Sequence, residues 1–199
     1  MQEHHFAFLF APHYHPAFKH IAPARKLCAE RGQRTIFNFL GPLLNPARPT
    51  CQLIGVPRPE LCEPMARVLQ GLGIRRGMVV SGQVGDRQLD ELSTLGPTRI
   101  AEFYQDKGFA MSELNPADLP VRPARLADLV GGDRKANAAI IRALLAGEDR
   151  GPRRDAVLLN AGAAFFVAGR TKSIAEGWEL AAGQIDSGSA AQKLKTLAG

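Results

Sequence analysis

Apolar residues along this chain come in short runs broken by glycine and proline, and helical spacing takes over in the second half. "TCQLIGV" (Thr50 to Val56) and "GMVVSG" (Gly77 to Gly82) are short, β-branched and bounded by Gly or Pro, which predicts two core strands. Between them, Glu60 to Leu72 places Leu61, Met65, Val68, Leu69 and Leu72 on one helical face. A strand, a helix and a strand at this spacing predict a right-handed crossover joining parallel strands. Nearer the start, Phe6 to Phe10 is rich in aromatics and predicts a short buried strand stopped by Pro12. A helical region should follow from Pro16 to about Gly32, with Pro23 breaking it or opening a second helix.

Beyond Gly82 the chain is polar as far as Asp90, and then "TRIAEFY" and "GFAMSEL" predict two strands around a turn at Gln105, Asp106, Lys107 and Gly108. Helical periodicity follows over Ala136 to Leu145, Ala156 to Val167, Ile174 to Ile185 and Ala190 to Leu197. Asn160 falls inside an apolar, alanine-rich helix. Together these elements predict an α/β fold with a central, mostly parallel sheet flanked by helices.

With 199 residues the chain can form one domain of ordinary size, and 1–199 is read as a single α/β domain. An apolar fraction of 45%, a charged fraction of 22% and a net charge of +6 are globular values that exclude disorder. The cations are spread along the chain rather than gathered in a block, which argues against nucleic acid as a partner. Cys28, Cys51 and Cys62 form no CxxC pair and lack zinc-site spacing, so reduced, part-buried thiols are expected. No run approaches the ~20 apolar residues of a membrane span, and a cytoplasmic location is expected by default.

Candidate chemistry gathers at two places. Asp90 and Glu91 follow the loop beyond the strand at Gly77, where ligands of parallel α/β sheets bind, and two hard oxygen donors suit Mg²⁺ shared with a substrate phosphate. The alternative is a solvated acidic turn capping a following helix. His15, Lys19 and Arg25 lie in or beside the first helical region, where His15 and Lys19 would share a face and Arg25 could grip a carboxylate bidentately. The plainer alternatives are a packed or capping histidine and a surface arginine. "GQVGD" (Gly82 to Asp86) and "VGGD" (Val130 to Asp133) have glycines but not the spacing of a phosphate loop, and Asp133 is best read as a helix cap.

In order, "FAFLFAPHYHPAFK", "RTIFNFLGPLLNPARP", "QLIGV", "LDELSTLGPTRIAE", "NAGAAFFVAG" and "IDSGSAAQKL" resemble the anthranilate phosphoribosyltransferases, a branch of glycosyltransferase family 3, from near Phe6 to the end of the chain. The resemblance implies the fold of that family's carboxyl-terminal domain. It also implies transfer of a phosphoribosyl group from phosphoribosyl pyrophosphate to anthranilate in tryptophan biosynthesis, with Mg²⁺ as cofactor. Asp90 and Glu91 would match the magnesium-binding acidic pair, and Arg25 in "APARK" the arginine that holds the anthranilate carboxylate. His15 and Pro42 would line the anthranilate tunnel, with Tyr14 and Ala11 beside them.

The family's glycine-rich GTGGD phosphate loop, the Lys-His-Gly-Asn-Arg segment after it and the N-terminal helical domain that usually forms the homodimer would all lie upstream of the first motif. The chain therefore looks like the carboxyl-terminal portion of a longer enzyme, inactive by itself and prone to self-association through an exposed edge or face. Ser81 stands where the family commonly has histidine, and three extra residues before Arg34 imply a longer helix or turn. The competing reading is a non-catalytic basic binding module on the same scaffold; a pyrimidine-nucleoside phosphorylase of the same fold would lack the anthranilate motif.

Overall fold

The computed structural model describes residues 4–16, 18–33, 35–36, 40–105 and 107–198. Its contacts fall into two compact units, Met1–Pro49 and Thr50–Gly199.

In the first unit, Ala11–Tyr14 forms a single helical turn, α1, and Phe18–Glu30 forms α2, followed by a 3-10 turn at Gly41–Leu44. Pro23 lies within α2 without breaking it. The expected strand at Phe6 to Phe10 does not form: these residues carry no strand, and Phe6, Phe8 and Phe10 are exposed. Strand formation requires a partner for the backbone N–H and C=O groups, and aromatic content alone provides none. None of the side chains described in this unit is buried. Arg34, Phe37, Asn38 and Phe39 of the "RTIFNF" motif lie outside the described residues.

The second unit is built on strands β1 (Cys51–Gly55), β2 (Arg76–Val84), β3 (Arg87–Leu89), β4 (Thr98–Tyr104) and β5 (Gly108–Leu114). β1 and β2 are parallel and joined through helix α3, Cys62–Gly71, as the crossover reading expected. The α/β class stands, while the sheet proves mixed instead of mostly parallel: β2–β3, β2–β4 and β4–β5 are antiparallel. The reason is that after β2 the chain continues through tight hairpins rather than further crossovers, and hairpins produce antiparallel pairs. β4 and β5 form the expected hairpin, although Asp106 of its turn lies outside the described residues.

Helices α4 (Leu126–Leu129), α5 (Arg134–Leu145), α6 (Pro152–Val167), α7 (Ile174–Asp186) and α8 (Ser189–Ala198) complete the unit. Residues alternate across β2. Met78 and Val80 join Ile100, Leu158, Leu159, Ala163, Trp178 and Ile185 in the main core under α6 and α7. Val79, Ala101 and Phe103 belong to the opposite set, on the side of α3, whose Cys62, Met65, Ala66 and Leu69 are buried. Burying a side chain such as Leu69 contributes about 1.5–3 kcal/mol. Val68 and Leu72, expected on the buried face of α3, are instead exposed, because the five positions assigned to that face cover more of the helix than the sheet does.

Candidate active site

The register of the sheet sets the position of the acidic pair. β4 pairs with β2 from Arg76 to Gly82 along one edge, so β1, paired with 76–80, and β3, paired with 82–84, share the other edge. β3 therefore lies in line with β1, and the chain leaving Leu89 meets the carboxyl end of β1. Asp90 and Glu91 come next, at the carboxyl ends of the parallel pair β1–β2, where open α/β sheets bind ligands. The reading of a cap on a following helix fails, because the chain continues through an irregular loop to β4.

Packing fixes this loop from both sides. A side chain at Gly55 would overlap the Asp90 backbone, and one at Gly82 would strike the Glu91 carbonyl and Ser93, so hydrogen is the only substituent these positions accept. The Ser93 N–H donates to Thr98 Oγ1 at 3.0 Å, and Ser93 Oγ donates to the Gln83 carbonyl at 2.7 Å. From α6, Asn160 Oδ1 accepts the Leu92 N–H at 2.9 Å and Nδ2 donates to the Leu92 carbonyl at 3.0 Å. Leu92, Ser93 and Thr94 are buried, while Asp90 and Glu91 stay exposed at the head of the loop.

Neither carboxylate has an ion-pair partner among the described residues. Partial desolvation, and secondarily the charge of Asp90, push the Glu91 carboxyl above its ordinary value. A pair of carboxylates that repel each other and face no protein cation is a donor set a divalent cation would relieve. Among the described residues no three His, Cys, Asp or Glu side chains cluster as a metal cage. Two donors fit Mg²⁺, which keeps several waters and shares its sphere with phosphate oxygens. Ser81 Oγ and Thr94 Oγ1, on the strand and loop that carry the pair, are buried without hydrogen-bond partners among the described residues.

Ala11, Tyr14, His15, Arg25 and Pro42 all belong to the first unit. Ala11 and Tyr14 bound α1, and Tyr14 is exposed. His15 follows α1 and lies outside any helix, so the face it was expected to share with Lys19 does not form; its ring contacts Phe18 at 5.4 Å between centroids. Pro16 interrupts the helical backbone between the two. Arg25 is half-buried on α2, and Pro42 is exposed in the 3-10 turn. The residues behind the acidic pair, Gly55, Gly82 and Asn160, were not singled out as site residues from sequence. Asn160 did carry a signal, an amide in an apolar helix that must find partners.

Glycine-rich "VGGD" is no phosphate loop. Asp133 caps α5 through Ala136 N–H at 2.8 Å, and Asn137 takes the Gly132 N–H at 2.8 Å, so the protein satisfies these amides itself.

Fold and loop together define an α/β domain with an exposed, adjacent acidic pair at the carboxyl ends of its parallel strands. The chain belongs to the Glycosyl transferase family, a/b domain, whose model matches residues 1–191. It is 49% identical over 197 residues to an anthranilate phosphoribosyltransferase of Lacticaseibacillus casei, covering 99% of this chain and 55% of that protein. It is similar to the crystal structure of the Thermus thermophilus anthranilate phosphoribosyltransferase at TM-score 0.83 and 45% identity, covering 96% of this chain and 54% of that one. The Saccharomyces cerevisiae enzyme in complex with PRPP and Mg aligns at TM-score 0.80 and 27% identity, over 91% of this chain and 50% of that one. The chain spans about half the length of the curated relatives it matches.

Proposed function

We infer that this chain carries the magnesium side and the anthranilate side of an anthranilate phosphoribosyltransferase of tryptophan biosynthesis. The observation that carries the reading is the Asp90–Glu91 pair, unpaired by any cation among the described residues and set on a loop that Gly55, Gly82 and Asn160 fix at the carboxyl end of the parallel strands. Asp90 and Glu91 would hold Mg²⁺ against the pyrophosphate of phosphoribosyl pyrophosphate. When bound, the metal supplies positive charge to the departing pyrophosphate. Arg25 orients anthranilate through its carboxylate, so that the amine is aligned with the ribose carbon, while Ala11, Tyr14, His15 and Pro42 line the path to it. No side chain acts as nucleophile, since alignment and charge stabilisation suffice for this displacement.

In the same reading, residues 1–199 make up one α/β domain, the whole enzyme is a cytoplasmic homodimer, and this chain alone turns over little or no anthranilate. No helix among the described residues is long and apolar enough to cross a membrane. The test is anthranilate fluorescence followed with phosphoribosyl pyrophosphate and Mg²⁺. Turnover is expected in the whole protein and lost on Arg25→Ala or Asp90→Asn/Glu91→Gln. If those changes leave turnover intact, the residue roles are wrong. If the chain turns over anthranilate alone at an ordinary enzymatic rate, its dependence on further residues is wrong. Tight, steeply salt-dependent nucleic-acid binding in place of anthranilate turnover would favour the basic binding module.

A further inference from the structure

Past the first turn of α6, Asn160 is the single polar side chain in the run Ala156 to Val167. A carboxamide has an acceptor oxygen and two N–H donors, and Asn160 uses all three. Oδ1 accepts the Leu92 N–H at 2.9 Å; Nδ2 donates to the Leu92 carbonyl at 3.0 Å and to the Ala156 carbonyl of its own helix, also at 3.0 Å. The third bond fixes the rotamer, and the first two grip a backbone residue 68 positions away in the chain.

The two gripped atoms belong to different peptide planes. Leu92 N–H lies in the plane that begins at Glu91, and the Leu92 carbonyl in the plane that leads to Ser93, whose own N–H is held by Thr98. These bonds hold the peptide plane on the carboxyl side of Glu91 and the one after it. Gly55 and Gly82 limit the loop from the sheet side. We propose that Asn160 is a positioning residue for the acidic pair: through Leu92 it sets the direction in which Glu91 leaves the loop, so that its carboxylate converges with that of Asp90 on one cation. This rests on the reading of Asp90 and Glu91 as the cation site. A partner that orients a metal-binding carboxylate without touching the metal typically changes affinity about 10- to 100-fold when removed.

The experiment uses this chain with Mn²⁺ alone as the probe, free Mn²⁺ being read by electron paramagnetic resonance. Asn160→Ala is expected to weaken binding about 10-fold or more. Asn160→Ser, whose hydroxyl is too short to span to Leu92 yet keeps the site polar, is expected to do the same and carries the test if the alanine variant does not fold. Leu144→Ala, in the core cluster that also holds Leu92 but making no hydrogen bond to the loop, lowers the unfolding temperature while leaving Mn²⁺ affinity within about twofold. That contrast separates positioning from stability. If Asn160→Ala or Asn160→Ser binds Mn²⁺ as tightly as the parent while Asp90→Asn and Glu91→Gln lose it, Asn160 serves stability alone and the proposal fails with the cation site intact. If Asp90→Asn and Glu91→Gln bind as the parent does, the cation-site reading falls and takes the proposal with it.

Discussion

The two units of this chain present their expected site residues in opposite ways. Asp90 and Glu91 sit on a loop backed by buried Leu92, Ser93 and Thr94 and held by Gly55, Gly82 and Asn160. The residues expected around anthranilate sit in a unit that buries none of its described side chains, with Phe6, Phe8, Phe10 and Tyr14 exposed. A metal-binding pair can be pre-set by one sheet and one helix. An aromatic pocket needs apolar surface on every side, and a segment without buried side chains lacks the main force that would hold it in place.

The contrast can be broken most directly by amide exchange. Amides of Val79 and Ile100 in β2 and β4 should exchange about a thousandfold or more slowly than those of α2, because the former need global unfolding. Equal protection would mean that the first unit has a core of its own. Next in size, Gly55→Ala should destabilise the chain by about 3 kcal/mol in denaturant melts, since its methyl group meets the Asp90 backbone. Gly41→Ala, with nothing within 4 Å of the added carbon, should stay within about 0.5 kcal/mol.

Thiol labelling sharpens the contrast further. Burial pushes the Cys62 thiol up to about 11, and its S–H faces the Arg99 carbonyl at 3.7 Å. It should react about a hundredfold more slowly at neutral pH than half-buried Cys28 and Cys51, which are free thiols. The smallest effect is a pH slope. Desolvation raises the Glu102 carboxyl above its ordinary value, partly offset by Arg76. The folded state therefore favours protonated Glu102, and this contribution is full below the ordinary carboxylate range and lost as pH rises through the raised value. Glu102→Gln should flatten that acid-side step in melts taken across it; an unchanged slope assigns the step to other groups, among them Glu91.

The same contrast explains what sequence reading reached. Strands β1 and β2 and helix α3 were legible because burial imposes a hydrophobic period, and the β4–β5 hairpin and helices α5 to α8 for the same reason. β3 reads as polar chain in the sequence: Arg87 and Gln88 are exposed, so no face imposes a period, and only pairing with β2 makes it a strand. Phe6 to Phe10 failed in the reverse sense, having strand composition without a strand to pair with. Asp90 and Glu91 stood out as adjacent acids after a strand. Asn160 could be noticed but not placed, since its partners are two backbone atoms on a distant loop.

Separation along the chain becomes delay during synthesis. The ribosome releases the acidic pair well before Asn160, and at about 5–20 residues per second the 68-residue gap lasts roughly three to fourteen seconds. Throughout that interval the nascent chain displays both carboxylates without the amide that positions Glu91. A translation product cut short before Asn160 would have the acidic motif but would not hold it in the geometry that the finished chain attains.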